Sequence, residues 1–592
     1  MFPGGSMKRI VSLLMTLVML FGALTTLVSC GQPKDDGAEI NIYLGSQVFD
    51  FDPSDYYVSS NAERILALVY EPLFSIKKNG KIKCAAADSY EVDEEERKII
   101  IDIRESYWSD NIKVKASDFV YAWCERIINP ANPNPAAALF LDIEGVREAM
   151  NGGSVSDVGI KATSSDQLVL TYREGADYER ILKNLASVAT APVRQDVVSA
   201  AETTWSKSSV VSNGPFKIKM YDQEEHVFEL TRNVGYHQDF KAKDYDNKVN
   251  PGMLYGKITF EGSKTAVKYS AIEDKVTFVM ADASLADRAE YKDEAEVADD
   301  TSVYTYVFNT ALPLFADVNV RLALSAAIDR EAIVEAITFG KAADGFIPDV
   351  SGGSADSYIS ATANLTKAQQ YLAQADQSVV DSNREITLSI DSDEQSMAIA
   401  EIVKKAWEKL GFYVTIEPLT AVTTEFADGS DTVDSGIQHL VKSVAMGTKS
   451  FEVMAVDWQT YSVDALAGLA SLTSHLNGMG RSLDAGVPGI GGTPNSSSAR
   501  SNIASWQDST YDQLVLEASA CVDAEERAVL LALAEKYLME QMPVCPLVFN
   551  QSFIFTGSKV SKVQLDVLGN LNLTDAKLRG YKKYFKPEEN ED

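Results

Sequence analysis

The sequence predicts an α/β protein in which helices cover β-sheets. Short strands rich in β-branched residues alternate with amphipathic helices along the chain, and this alternation favours helix-covered sheets. The 592 residues are too many for one hydrophobic core and suffice for two to four domains. With 45% apolar and 23% charged residues, the composition is that of a globular protein.

The first half of the chain begins this alternation. Ser117 or Asp118 can N-cap a helix that runs to about Ile128, where Asn129-Pro130 ends it. Strands are predicted on both sides of this helix, over 38–45, 98–104, 167–172, 216–221 and 227–231.

The second half continues the same pattern. A helix is predicted to open at Val318, and Gly411 is expected to stop another that spans 395–410. Two further helices are predicted over 511–520 and 524–541. The predicted strands are 303–309, 386–390, 413–417 and 452–457, and the Gly/Ser-rich stretches 351–363 and 484–503 are predicted loops.

The N-terminus has the features of an export signal. Lys8 and Arg9 precede residues 10–28, which carry no charge, and Leu27-Val28-Ser29-Cys30 follows the apolar run. This ending resembles the lipobox of bacterial lipoproteins, which implies a signal peptide over 1–29 and a lipid on Cys30. Acyl chains there would hold the protein at the outer face of the cytoplasmic membrane. An uncleaved membrane helix and free secretion stay open as alternatives.

Charge and cysteine content limit the class of partner. The net charge of −31 disfavours a nucleic-acid partner, whose phosphates would be repelled. Besides Cys30, the four cysteines allow three disulfide pairings that spacing cannot distinguish. These four are Cys84, Cys124, Cys521 and Cys545, and their oxidation state stays open. We expect Cys124, on an apolar helix face, to be free, because unpaired cysteine packs like a small apolar residue.

The usual signatures of catalysis are not found in the sequence. The four histidines lack the spacing of a helical zinc site, and no Gly-x-Ser-x-Gly elbow occurs. The segment 256–265 has the wrong glycine spacing for a phosphate-binding loop. A hidden pair of acidic residues stays open, but the sequence favours a binding protein without metal or cofactor over an enzyme.

Three segments, in a consistent order, carry a family resemblance. The segments are Trp108-Ser109-Asp110-Asn111 with Asp118-Phe119-Val120-Tyr121-Ala122-Trp123, then Asn213-Gly214-Pro215-Phe216, then Phe308-Asn309-Thr310 with Ala327-Ile328-Asp329-Arg330-Glu331. They resemble motifs of family 5 extracellular solute-binding proteins, the oligopeptide-binding lipoproteins of ABC importers. The family usually has glycine where this chain has Asn111, and both residues tolerate a left-handed backbone.

The resemblance implies a bilobed periplasmic-binding-protein-like fold of the class II type, with an extra α/β domain and hinge strands between the lobes. The expected first lobe combines 31–74, 207–312 and 551–592. The extra domain would be 75–206, and the second lobe 313–550. We expect Trp108 and Trp123 to pack the extra domain, and Arg321 and Asp329 to cap helices or form salt bridges between lobes.

The resemblance also points to ligand-binding residues. In peptide binders of the family, a tryptophan three residues before an aspartate marks the cleft, and the aspartate neutralises the peptide's α-amino group. Here Trp458 is followed at that spacing by Tyr461, and Asp464 or Asp457 would have to supply the carboxylate. A further pair, Phe549 and Asn550, corresponds to an aromatic position of the family. We predict ligand contacts by Trp458, Tyr461, Asp464, Phe549 and Asn550, with core packing as the alternative for Trp458.

The expected function is capture of oligopeptides by a lipid-anchored, monomeric binding protein that delivers them to ABC permease subunits. A non-peptide small solute is the nearest alternative, because members of the family bind other solutes. A surface hydrolase on the same scaffold, and a receptor or chaperone-like surface protein, are further alternatives from other classes.

Overall fold

A computed structural model describes most of the chain. The described residues are 38–43, 51–54, 60–77, 79–129, 134–201, 205–207, 210–222, 227–233, 235–237, 255–261, 268–269, 278–280, 288–425, 431–445, 448–474, 476, 503–556, 560–561, 563–573 and 577–578. The predicted signal peptide, Cys30 and nearly all of the predicted loop 484–503 lie outside these ranges.

One large mixed sheet runs through the molecule. Two 13-residue strands, Glu296–Phe308 and Val544–Thr556, lie at its centre, pair antiparallel with each other, and are called the hinge strands below. The strand order across the sheet is Tyr413–Leu419, Glu385–Asp391, Val453–Gln459, Glu296–Phe308, Val544–Thr556, Phe278–Met280, Ala38–Tyr43, Tyr255–Glu261, Val227–Arg232 and Phe216–Asp222, with Lys341–Ala342 on Val544–Thr556.

The hinge strands pass from one half of this sheet to the other. Their register shifts between Asp299, which pairs with Gln551, and Val303, which pairs with Phe549. Three residues, 300–302, therefore lie opposite Asn550, forming a bulge that bends the ladder. On one side of it Val544–Thr556 pairs with Phe278–Met280, and on the other Glu296–Phe308 pairs with Val453–Gln459.

A second, smaller sheet forms within residues 75–206. Its four antiparallel strands are ordered Ala87–Asp93, Lys98–Ile103, Gln167–Thr171 and Ile160–Ala162. Trp108 and Trp123 are fully buried beside it, and their indole nitrogens donate to Asp118 Oδ2 (3.0 Å) and Thr190 O (2.7 Å). Both tryptophans therefore pack this part of the chain, as predicted.

Helices cover both sheets. In the first half they are Ser60–Val69, Ala116–Val120 continued by the π-helical turns Tyr121–Ile128, Pro135–Phe140 (3₁₀), Val146–Met150, Tyr178–Asn184 and Gln195–Ala200. In the second half they are Pro313–Ala316, Val318–Ala326, Arg330–Ile337, Leu365–Gln374, Gln377–Ser382, Glu394–Glu408, Gly436–Ala445, Ala465–Ala470, Ser509–Ala520 and Ala524–Gln541.

Several predicted boundaries are wrong in detail. The N-cap near residue 116 is Lys115, and Asp118 lies three positions into the helix, where its carboxylate accepts from Lys115 N at 3.0 Å. The first hinge strand begins at Glu296 rather than at 303. Its polar first half becomes a strand because residues 296–299 pair antiparallel with Val544–Thr556. The strand predicted over 452–457 is Val453–Gln459.

Helix caps account for two of the motif residues. Asp329 Oδ1 accepts from Ala332 N (3.1 Å) and so caps Arg330–Ile337. Arg321 Nη2 donates to Gln541 O (2.6 Å), at the end of Ala524–Gln541, where unpaired carbonyls need donors. Both residues therefore serve helix ends, as predicted.

Cys124 is free, as predicted, and Cys84, Cys521 and Cys545 are free as well. Burial raises the pKa of the Cys124 thiol to about 12, so this thiol is an inert packing group.

Candidate functional site

The predicted ligand residues lie around the bulge in the hinge strands. Trp458 and Phe549 pair with Val303 from opposite sides, and directly paired residues present their side chains on the same face of a sheet. The indole Nε1 of Trp458 donates to Ser471 Oγ (2.9 Å), and Phe346 packs edge-on against the ring at 5.7 Å between centroids. Trp458 and Phe549 are each 8% exposed.

Asn550 points to the other face of the sheet, because successive residues of a strand alternate. Its Nδ2 donates to Ser302 Oγ (2.9 Å) and to Asp457 Oδ1 (2.8 Å). Asn550 therefore joins both hinge strands to the strand that carries Trp458, but the sheet separates its side chain from those of Trp458 and Phe549.

Tyr461 follows the strand in a strained conformation. Its φ is +64°, a left-handed backbone that costs a non-glycine residue about 1–2 kcal/mol. The ring is buried, and the chain before it is held by a hydrogen bond from Thr460 N to Thr301 O (3.1 Å). Strain of this kind collects at binding sites, where the surroundings hold it in place.

Asp464 has a carboxylate with several partners. Its Oδ1 accepts from Leu466 N (2.9 Å) and caps Ala465–Ala470. Both oxygens accept from Arg527 Nη2 (3.0 and 2.9 Å), and Arg180 Nε lies 3.6 Å from Oδ2. Asp464 therefore faces the segment 75–206 instead of the face shared by Trp458 and Phe549; its contact with a ligand stays a prediction.

Other polar residues of the bulge were not predicted. Thr301 Oγ1 donates to Gln459 Oε1 (3.0 Å), and Asp299 accepts from Lys341 Nζ (2.7 Å) and Gln551 Nε2 (2.9 Å). Burial acts to raise the pKa of Asp299, but the bonds from Lys341 and Gln551 outweigh it and lower that pKa. The run Asp299-Asp300-Thr301-Ser302, directly before an apolar stretch, is the sequence signal that could have identified them.

The segment 75–206 packs against the part of the chain that follows Trp458. The 3₁₀ helix Pro135–Phe140 packs on Ala465–Ala470, and both are buried throughout. Trp458, Tyr461 and Phe549 belong to the same apolar cluster as these helices. The arrangement in which 75–206 contacts the part of the chain that follows Trp458 is called the closed arrangement below.

Nothing in this arrangement points to metal chemistry. Among the residues that the structure describes, no group of three or more His, Cys, Asp or Glu side chains could hold a metal ion. Within the same ranges, no helix combines the length and apolar character that crossing a bilayer requires.

Comparison with known proteins identifies the family. The family model of the bacterial extracellular solute-binding proteins, family 5 Middle, matches residues 81–479. The chain, matched over more than half its length, belongs to family 5 of the bacterial extracellular solute-binding proteins. The resemblance and the predicted α/β, bilobed periplasmic-binding-protein-like fold are thereby confirmed.

Individual relatives match nearly the whole chain. The dipeptide-binding protein DppE of Bacillus subtilis is 23% identical over 521 residues, which cover 85% of this chain and 86% of DppE. The probable deoxycholate-binding periplasmic protein YgiS of Escherichia coli is 24% identical over 512 residues, or 84% and 85% of the two chains. The crystal structure of Haemophilus influenzae OppA in complex with RPPGFSPFR superposes with a TM-score of 0.71 at 20% identity, covering 91% of this chain and 98% of that one.

Proposed function

We propose that this protein captures oligopeptides between its two lobes outside the cell and delivers them to the permease of an ABC importer. Family membership over residues 81–479 carries the proposal. It is supported by the relative named as a dipeptide-binding protein and by the similar fold of a peptide-bound OppA. Binding rather than catalysis agrees with the family, whose members are solute-binding proteins.

The hinge strands are the parts that would let the lobes move. Two strands cross between the halves of the sheet, and their pairing is interrupted at 300–302 opposite Asn550. A few residues at such a point can absorb the φ/ψ changes of domain closure. We propose a first lobe of 31–74, 207–302 and 551–592, an extra domain of 75–206 and a second lobe of 303–550; the crossing predicted at 312 moves to the bulge, because residues 302–308 pair with Val453–Gln459 of the second lobe.

The proposed ligand contacts are divided between two surfaces. Trp458, Tyr461 and Phe549 would contact the peptide from one face of the sheet. Trp458 and Phe549 share that face, and Tyr461 lies in the strained turn three residues after Trp458. Asn550 would act from the hinge strands, and Asp464 from the second lobe, where it faces the extra domain. A peptide in this position would pair its backbone with strand edges and leave its side chains in adaptable pockets.

The proposed location is the outer face of the cytoplasmic membrane, with a lipid on Cys30. The support is the sequence Leu27-Val28-Ser29-Cys30 after an uncharged run. Two or more acyl chains would give a stable anchor, and the protein would act there as a monomer beside the permease.

A non-peptide ligand is the second candidate, and its support is the relative named as a probable deoxycholate-binding protein. Native mass spectrometry of the protein purified in detergent without added ligand tests both. We expect a series of bound masses that fragment as peptides. Recovery of non-peptide species alone would reject the peptide ligand and keep the binding function. A protein that carries no ligand and binds neither a peptide library nor deoxycholate would contradict the proposal itself.

A further inference from the structure

Three arginines of the extra domain reach the second lobe. Arg147 Nη2 donates to Ser519 O (3.1 Å), and Arg173 Nη2 donates to the same carbonyl. Ser519 lies in the last turn of Ser509–Ala520, where the carbonyl groups carry partial negative charge. The third arginine, Arg180, is 8% exposed and places Nε 3.6 Å from Asp464 Oδ2.

Each charged group of this contact also has a partner on its own side. In the extra domain, Asp142 accepts from Arg173 Nη2 (2.7 Å) and Arg180 Nε (2.6 Å). In the second lobe, Asp464 accepts from Arg527 Nη2 through both oxygens. Separation of the two bodies would therefore break the shared contacts without leaving Arg180 or Asp464 unpaired, a state that would be costly for a buried charge.

Uncharged contacts lie beside the arginines. Ser462 Oγ donates to Asn184 Oδ1 (2.6 Å), and Asn184 is fixed in turn by its own bond to Leu139 O (3.0 Å). The polar contacts thus border the apolar packing of Pro135–Phe140 on Ala465–Ala470. Arg180, Asp464 and Ser462 all lie at one edge of the face that carries Trp458.

We propose that Arg147, Arg173 and Arg180 form a clasp by which the extra domain holds the second lobe in the closed arrangement. Asp464 is the positioning residue on the second lobe, paired with Arg527 when the clasp is open and shared with Arg180 when it is closed. In this proposal the extra domain itself contacts and holds the second lobe. This inference rests on the proposed function in one respect only, that the lobes separate and close.

The test is the distance between the two bodies in the full chain without ligand. Nitroxide labels on keto-bearing amino acids at exposed Lys161 and Gln513 leave the native cysteines untouched, and pulsed electron paramagnetic resonance gives the distance distribution. We expect Asp464→Asn to lower the ratio of closed to open molecules by about fivefold or more, a typical size for coupling between sites. Asparagine keeps the N-cap, so this variant is expected to fold.

A second variant has the opposite expected sign. Arg527→Gln removes the partner that Asp464 keeps in the open state, so Asp464 then depends on Arg180 and the closed fraction should rise. General destabilisation would lower the closed fraction in both variants. Lys98→Gln, which removes one partly exposed positive charge of the extra domain whose ion pair is with Glu96, is the matched control and should leave the distribution unchanged.

The proposal is overturned if Asp464→Asn leaves the distances unchanged, if Arg527→Gln acts in the same direction as Asp464→Asn, or if Lys98→Gln has an equal effect. Because no ligand takes part, these results do not depend on its identity. If the clasp variants fail but the protein still binds ligand, the clasp is rejected and the proposed function stands. If the clasp variants behave as expected but the protein binds no peptide, the peptide-binding function is rejected and the clasp stands.

Discussion

Asn550 and Asp457 are joined by a hydrogen bond of 2.8 Å from Nδ2 to Oδ1, at the point where the hinge strands change register. The same amide also donates to Ser302 Oγ. One side chain thus links three neighbouring strands of the central sheet beside the bulge.

Replacing Asn550 by aspartate is expected to destabilise the fold. The variant places a second carboxylate against Asp457 and loses the donor to Ser302, and we expect the free energy of unfolding to fall by about 1–3 kcal/mol near pH 7. Urea denaturation measures this change. Asn79→Asp, at an exposed position where Oδ1 accepts from Lys81 N (3.2 Å) and an aspartate keeps that bond, controls for the added charge, and an equal loss in both variants would contradict the assigned link.

Replacing Trp458 by alanine is expected to weaken binding of the ligand recovered with the protein by about 1–3 kcal/mol, as aromatic hot spots do. Calorimetric titration measures the affinity, and thermal unfolding measures the stability separately. Trp407 is a matched buried tryptophan. It packs against Tyr306 on the face of the central sheet opposite to Trp458, and its Nε1 donates to Leu324 O (3.0 Å). Trp407→Phe should keep the affinity of the folded protein; unchanged affinity in Trp458→Ala would assign that tryptophan to the core.

Asp391 is expected to contribute a pH dependence of stability. Burial, offset in part by the bond from Ile437 N (3.0 Å), raises the pKa of this carboxyl to about 6 in the folded state from 3.8. The folded protein then holds the proton more tightly than the unfolded chain. The contribution of this group to stability is therefore full below about pH 4 and is lost as the pH rises through 6.

Asp391→Asn should remove that loss. Relative to the wild type, the variant should gain on the order of 2–3 kcal/mol between pH 4 and pH 7, since one pKa unit corresponds to about 1.36 kcal/mol. Unfolding by urea at both pH values gives the difference. Asp356→Asn, at an exposed position, should show little pH-dependent gain; the same gain there would mean that bulk charge, and not Asp391, is responsible.

Replacing Cys30 by alanine is expected to abolish lipid attachment. An uncleaved precursor or a protein shed into the medium should result, and detergent phase partition with intact-mass measurement distinguishes these from the mature lipoprotein. Cys84→Ala is the matched cysteine control and should behave as the wild type. A Cys30→Ala protein that still matures and still requires detergent would refute the anchor.

Local signals in the sequence predicted nine of the strands and five of the helices that the structure describes. The helix over 524–541 begins after Asp523, whose carboxylate accepts from Glu525 N and Glu526 N, and it ends where Met542 adopts a left-handed φ of +49°. The hinge strand was predicted too short because residues 296–302 have little apolar character. Their strand state comes from pairing with a segment about 250 positions away, which no local window contains.

The site was harder to predict for the same reason. The positions of Trp458 and Phe549 follow from family motifs, but the partners of Asp464 are Arg180 and Arg527, which are distant in sequence and belong to different helices. Spacing suggested a carboxylate available to a ligand, whereas the fold surrounds it with guanidinium groups. Chain topology decides such contacts, and one sequence does not disclose it.

The alanine-rich turn over Pro135–Phe140 has a mechanical consequence where it rests on Ala465–Ala470. Alanine has no side-chain rotamers to immobilise. Forming most of this contact therefore costs little side-chain conformational entropy. Under the proposed function, such a contact would let the lobes separate and meet again at little cost in side-chain entropy.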